Sequence, residues 1–183
     1  MDRTNGTEFI KQGIMEIVQV TEHEIAALQQ ISRQTFTETF AASNTEENMR
    51  KYLDEAYAAE KLAAELNDPD VYFYFAKEGE QVIGYLKLNA GASQTELKDK
   101  KALEIERIYV LSHWHGMKVG QLLYEKAFEV ARQLGVDYVW LGVWEKNTRA
   151  IRFYQRNGFM EFDQHIFRLG DDEQTDIMMK RKL

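Results

Sequence analysis

Between Leu103 and Trp144 the chain reads as strand, glycine-bearing loop, helix and strand, and no other stretch restricts the fold as much. Leu103 to Leu111 (LEIERIYVL) is a strand that runs into a short polar loop carrying Gly116 and Gly120. A helix begins at once. It turns Val119, Leu122, Leu123, Ala127, Val130, Ala131 and Leu134 to a core at helical spacing, until Gly135 stops it. Tyr138 to Trp144 (YVWLGVW) is almost wholly apolar, as a strand covered on both faces should be. Two such strands bridged by a helix form a right-handed parallel βαβ unit. The first strand-to-helix junction points backbone N–H groups and the positive end of a helix dipole at one spot, which makes an anion site.

The remaining segments frame that unit. Met1 to Ile14 is polar without periodicity and reads as a flexible leader, with Met15 as an alternative start and residues 15–183 as one domain. Glu16 to Val20 alternates as a first strand. Thr21 and Glu24 form a capping box that opens a helix running to about Phe40, with Ile25, Leu28 and Ile31 on its buried side. A second helix spans about Glu46 to Leu66. Val71 to Ala76 and Gln81 to Asn89 flank a turn at Lys77–Glu80 and read as a hairpin. Asn147 or Thr148 caps a short helix that ends at Asn157-Gly158. Strands at about Phe159–Arg168 and Gln174–Lys180 close an antiparallel edge. The expected fold class is α/β (α+β), with about seven strands and four helices.

Composition removes several kinds of function. The absence of cysteine excludes disulfides, thiolate metal ligands and a cysteine nucleophile. The four histidines are scattered without ligand spacing, so no metal is expected. A net charge of −7 argues against nucleic acid and suits a cationic partner. No apolar run is long enough to span a bilayer and no apolar signal region is evident, so a cytoplasmic protein without a membrane partner is expected. Either a monomer or a homodimer joined through the terminal strands is compatible with the sequence.

The glycine loop is neither a Walker loop nor a dinucleotide fingerprint, because the required spacings are missing. His115 and Lys118 add positive charge to it. The segment Glu145–Tyr154 follows the buried parallel strand and so reaches the same sheet edge, where ligands of such sheets bind. Asn147 offers an amide there. Tyr154, two turns further along the same helix face, offers a phenol that can donate a proton or simply fill the core. Arg149, Arg152 and Arg156 meet either a phosphate or solvent.

Two segments together resemble the GNAT superfamily of acetyl-CoA-dependent N-acetyltransferases. The likeness covers about Glu16 to Leu183. The family loop, Gln/Arg-x-x-Gly-x-Gly/Ala, falls on His115, Gly116, Met117, Lys118, Val119 and Gly120, with His115 and Lys118 departing from it. NTRAIRFYQRNGF matches Asn-x-x-Ala-x-x-Phe-Tyr-x-x-x-Gly-Phe through Asn147, Ala150, Phe153, Tyr154, Gly158 and Phe159. The resemblance implies a mixed, mostly antiparallel sheet with a central parallel, splayed strand pair. Pantetheine would lie in the splay against Ile108, Tyr109 and Val110. N–H groups from His115 to Gly120, with Gln121 beyond, would hold the pyrophosphate. Asn147 and Ala150 would border the cofactor, and a backbone N–H near Tyr109 or Val110 would polarise the thioester. Tyr154 would protonate the leaving thiolate.

A primary amine has a pKa of roughly 10 and must lose a proton before it attacks. Glu104 and Glu106 share one face of the strand entering the site, and Glu106, nearer its end, is the favoured base. Without cysteine, direct transfer in a ternary complex is the natural route. Within the superfamily the chain looks most like small bacterial spermidine/spermine N-acetyltransferases, with Phe36 and Glu38 as possible acceptor contacts. A protein or amino-sugar N-acetyltransferase, and a CoA-binding regulatory protein with little turnover, are the rival readings.

Overall fold

The structure is a computed structural model and describes residues 14–183; apart from the exposed Ile14, the expected leader lies outside the described residues. Seven strands form one sheet: β1 (Met15–Gln19), β2 (Val71–Glu78), β3 (Gln81–Ala90), β4 (Ala102–Val110), β5 (Tyr138–Trp144), β6 (Met160–Leu169) and β7 (Asp172–Lys182). Their order is β1-β2-β3-β4-β5-β7-β6, and only β4 and β5 are parallel. Five α-helices cover the faces: α1 (Ile25–Phe40), α2 (Glu46–Ala56), α3 (Ala59–Leu66), α4 (Val119–Leu134) and α5 (Thr148–Arg156).

Side-chain alternation divides the core in two. On one face Leu86, Leu88, Leu103, Ile105, Leu141 and Val143 pack with Leu123, Ala127 and Val130 of α4 and with Tyr154 of α5. On the other, Phe73, Phe75 and Tyr85 pack with Leu28, Ile31, Phe36 and Phe40 of α1, Met49 of α2 and Leu62 of α3. The capping box forms as expected, with the Thr21 N–H on Glu24 Oε2 at 3.1 Å, and starts a 3₁₀ turn that feeds α1. Leu134, expected inside, is exposed at the last turn of α4.

The single helix expected from Glu46 to Leu66 is divided, so the described residues hold five α-helices rather than four. No glycine or proline marks the break. Tyr57 leaves the helical conformation and is fully buried, with the Arg107 guanidinium 4.8 Å from its ring centre. Side chains of α1 hold the carbonyls at the break: Gln29 donates to Tyr57 O at 2.7 Å, and Arg33 donates at 2.9 Å to Leu53 O, which also accepts the Tyr57 N–H. Tertiary packing thus ends α2 where local propensity would continue it.

The βαβ unit opens as the splay requires. β4 and β5 pair only at Ala102–Tyr138, Leu103–Val139 and Glu104–Trp140, then separate. At the point of separation β4 bulges. Leu88 of β3 pairs with Ile105 and Lys87 with Arg107, leaving Glu106 as the extra residue. Leu103 and Ile105 therefore face α4 before the bulge, and Ile108 and Val110 face it afterwards. Glu104, Glu106, Arg107 and Tyr109 all line the cavity on the opposite side.

Tyr57→Ala should cost about 3–5 kcal/mol of stability by emptying a fully buried ring site. Urea denaturation is the check, and a loss below about 1 kcal/mol would mean that the α2–α3 break does not depend on this ring.

Candidate active site

The gap between β4 and β5 widens into a cavity of about 1560 Å³ that reaches from α4 and α5 to α1, β6 and β7. Leu111 donates its N–H to Ile83 O at 2.9 Å, which sets the phase of the β3–β4 ladder. Alternation then directs the backbone of Tyr109 to β3 and that of Ile108 and Val110 into the gap. The Glu145 N–H on Thr175 O (3.0 Å) sets β5 likewise, so Gly142 turns its backbone groups to the gap from the other side.

The loop before α4 uses some of the N–H groups expected to bind an anion. His115 N–H donates to Ser112 O at 3.1 Å and Met117 N–H to Trp114 O at 3.3 Å, and the Met117 side chain is 42% exposed outside the cavity. Gly116 N–H has no acceptor among the described residues, and those of Lys118, Val119, Gly120 and Gln121 open α4, where a helix supplies none. Gly116 and Lys118 both have positive φ, +82° and +64°. The departure at Lys118 therefore leaves the backbone path intact, at the cost of a left-handed lysine.

His115 ties this loop to both neighbours. Its Nε2 lies 2.8 Å from Val110 O, and Arg149 Nη1 of α5 lies 2.5 Å from its Nδ1. The arrangement fits a ring protonated at Nε2 only. Burial lowers the His115 pKa, the Val110 bond opposes this, and Arg149 adds to it. Asn147 caps α5 by accepting the Ala150 N–H on Oδ1 at 3.2 Å, which leaves its NH₂ free for the cavity. Lys118, Arg149 and Arg156 make this end of the cavity cationic.

Tyr154 is 6% exposed, borders the cavity and makes no hydrogen bond to any described residue. Burial raises its pKa well above that of an ordinary phenol, so the hydroxyl keeps its proton at neutral pH.

Glu106 is bound on all sides. Oε2 meets Lys87 and Asn89 at 2.6 Å each, and Oε1 meets Arg107 at 3.1 Å. Burial acts to raise its pKa, but Arg107, Lys87 and these hydrogen bonds outweigh burial and hold it at about 2. Such a carboxylate suits fixed charge rather than proton exchange with an ammonium. Glu104 accepts from Thr95 N–H, Thr95 Oγ1 and Asn89, yet burial still raises its pKa.

The far end combines aromatic rings with acids. Phe36 stacks on Tyr52 (4.4 Å), Phe40 lies 5.6 Å from Trp144, and Tyr52 meets Phe167 edge-on at 5.8 Å. Glu38 holds the Ser112 N–H at 2.8 Å, between the two ends. Beyond Gly142, Asp176 of β7 stands between Trp144 and His165 in the sheet. Tyr52, Trp144, His165, Phe167, Asp176 and Glu96 all line the cavity, and the sequence reading missed them. The period-two placement of His165 and Phe167 on β6 was their one local signal.

A splayed parallel pair, a helix N-terminus aimed into the gap and a protonated phenol beside it define an acyl-CoA-dependent transferase. The Acetyltransferase (GNAT) family model matches residues 25–159, and the chain belongs to that family. It is 41% identical over 169 residues to an uncharacterized N-acetyltransferase in the pepI 3′ region of Lactobacillus delbrueckii subsp. lactis, covering 92% of this chain and 98% of that one. It is 24% identical over 172 residues to the spermidine N(1)-acetyltransferase of Thermoplasma acidophilum, covering 92% and 97%. Among solved structures, the PaiA N-acetyltransferase from Thermoplasma acidophilum in complex with coenzyme A has a similar fold, with a TM-score of 0.78 at 24% identity over 93% of this chain and 99% of that one. The chain is an N-acetyltransferase that draws acetyl from acetyl-CoA.

Lys118→Gly and Lys118→Ala remove the same charge, but only glycine is at ease at positive φ. Lys118→Gly should therefore be about 1 kcal/mol more stable than Lys118→Ala in urea denaturation. Equal stabilities would remove the left-handed strain.

Proposed function

We infer that the protein acetylates a primary amine of a small polycation of the spermidine/spermine class, by direct transfer from acetyl-CoA in a ternary complex. The observation that carries this reading is the separation of charge along one cavity. Lys118, Arg149 and Arg156 gather at the α4–α5 end, which suits phosphates. Glu96, Glu104, Glu106 and Asp176 outnumber Arg107 and Arg168 at the other, where those arginines are paired with Glu106 and Glu173, beside aromatic rings whose faces attract ammonium groups. The likeness to a spermidine N(1)-acetyltransferase supports the same acceptor.

In this reading the first-turn N–H groups of α4 hold the pyrophosphate, and Ile108 and Val110 pair with the pantetheine arm as an added strand would. The Val110 N–H stabilises the developing oxyanion. Tyr154 gives its proton to the leaving thiolate, and the Asn147 NH₂ orients the cofactor or a water. Phe36 and Glu38 border the acceptor. Glu106 is matched by Lys87 and Arg107 and fixes this wall, while Glu96 and Asp176 supply the negative charge that draws the polycation in.

Coenzyme A release with spermidine, spermine, peptide amines and aminoglycosides tests the acceptor. Spermidine or spermine should give the highest kcat/KM, with KM rising as salt is added. Preference for a peptide or an aminoglycoside would overturn the polyamine reading. Tyr154→Phe should lower kcat by about 10²–10⁴-fold while coenzyme A affinity stays within about twofold. An unchanged kcat would remove Tyr154 as the acid.

A further inference from the structure

The carboxylates of the cavity differ in what already occupies them. Glu106 is satisfied by two cations and an amide, Glu104 by three hydrogen bonds, and Glu38 by the Ser112 N–H. Asp176 accepts no hydrogen bond from any described residue although it is largely buried. A Cβ on Gly142 would lie 3.2 Å from His165 Cε1 and 3.5 Å from Asp176 Oδ2, so the two side chains lie against β5 at Gly142, where glycine leaves them room. Gly142 is two residues past the last β4–β5 pair, so Asp176 lies against β5 beside the splay and lines the same cavity. His165 Nε2 is 3.7 Å from Asp176 Oδ2, and on the other side of the ring Nδ1 is 3.0 Å from Glu96 Oε1. The two acids therefore bracket the imidazole rather than converge on one point, and among the described residues no set of acids and histidines is arranged to hold a metal ion.

We propose that Asp176, and not Glu106, is the catalytic base that receives the acceptor's ammonium and takes its proton, with His165 and Glu96 as positioning residues. The inference rests on the amine-acetyltransferase reading but not on the acceptor being a polyamine. An N–H bond of the ammonium breaks and its proton passes to Asp176 Oδ2. The nitrogen keeps the electron pair and forms the C–N bond at the acetyl carbonyl carbon. The C–S bond then breaks and the thiolate takes a proton from Tyr154; the second proton of the new amide nitrogen restores the Tyr154 phenol through solvent, and the proton on Asp176 is returned to solvent.

Burial holds the Asp176 pKa up at about 6, with His165 pulling it down and Glu96 pushing it up. The other titratable groups lining this part of the cavity are Tyr52, Glu104, Glu106, Arg107, Lys146 and Arg168. Because the base works as the carboxylate, the rate should fall as pH drops below about 6. Removing a buried carboxylate that lacks a donor should not weaken the fold at pH 7, since a carboxyl whose pKa is raised on folding loses stability as it ionises.

The test is the pH–rate profile of the wild type, Asp176→Asn, His165→Gln and Glu106→Gln on an amine that the wild type acetylates, spermidine first and then a peptide amine and kanamycin. Asp176→Asn should lower kcat at pH 7 by about 10²–10⁴-fold and lose the limb near pH 6. It should then regain rate about tenfold per pH unit toward the amine's own pKa of roughly 10, as free amine replaces enzymatic deprotonation. His165→Gln should move the acid limb to higher pH, because it removes the group that favours the Asp176 carboxylate. Glu106→Gln should keep the limb. Coenzyme A affinity and urea stability of Asp176→Asn should match or exceed those of the wild type. A kcat within about threefold of wild type, a retained acid limb, or a rate loss that accompanies lost stability or lost coenzyme A binding would each overturn the proposal. A wild type that ignores spermidine but acetylates another amine would defeat only the polyamine reading.

Discussion

Everything in this molecule depends on the parting of β4 and β5 after three residue pairs. A sheet that opens in its middle exposes backbone N–H and C=O groups where strands normally satisfy one another, and each such group costs about 1–3 kcal/mol if it stays dry and unpaired. The chain limits that cost in two ways. The gap is continuous with a large cavity, so its edges remain reachable, and His115 takes one of the exposed carbonyls, that of Val110. What remains is an edge strand inside the protein, ready to pair with an extended ligand. On the face away from α4, the bulge at Glu106 shifts β4 and the missing side chain at Gly142 lets His165 and Asp176 lie against β5, so the opening and the site are one feature.

The bulge also explains the division of labour among the acids. By placing Glu106 and Arg107 on the same side it puts opposite charges next to one another, and β3 adds Lys87, only 4% exposed, from across the ladder. Lys87 also meets Glu65 of α3 at 3.0 Å. Two cations are thus matched by Glu65 and Glu106, and no cation is left for Glu104, which has only hydrogen bonds against its desolvation. A buried network of this kind adds little net stability, because desolvation offsets the attraction, but breaking it exposes an unpaired charge. Its evident effect is to hold the Glu106 carboxylate in place at the mouth of the splay.

Much of this was legible in the residues. The boundaries of β5, the capping box at Thr21 and Glu24, and the α4 stop at Gly135 follow from local patterns, and the structure has them where the patterns put them. So does the Asn147 cap, whose amide does local work before any ligand arrives. The break after Ala56 was not legible, because it is made by Tyr57 entering a core built from distant segments. The rank order of Glu104 and Glu106 was not legible either. Period two places both on one face, but the cations that fix Glu106 come from a neighbouring strand and from the bulge. Asp176 and His165 face each other only because β6 and β7 pair in that register, a relation between strands that neither segment encodes alone.

The two departures from the family loop can be understood by the same separation of backbone from side chain. Lys118 replaces a glycine and still adopts the left-handed conformation, so the N–H groups of the next turn keep their direction. His115 replaces a longer donor and does something different: it links Val110 O to Arg149, joining the strand edge, the loop and α5. His115 occupies one lone pair of the Val110 carbonyl, and the Val110 N–H remains in the gap as a donor. A ligand atom that pairs with this N–H is an acceptor, which a thioester carbonyl oxygen is, and increasingly so as it gains negative charge. In the proposed mechanism, the substitution that weakens the sequence match therefore ties the strand edge to the loop while keeping in the gap a donor whose hydrogen bond strengthens along the reaction.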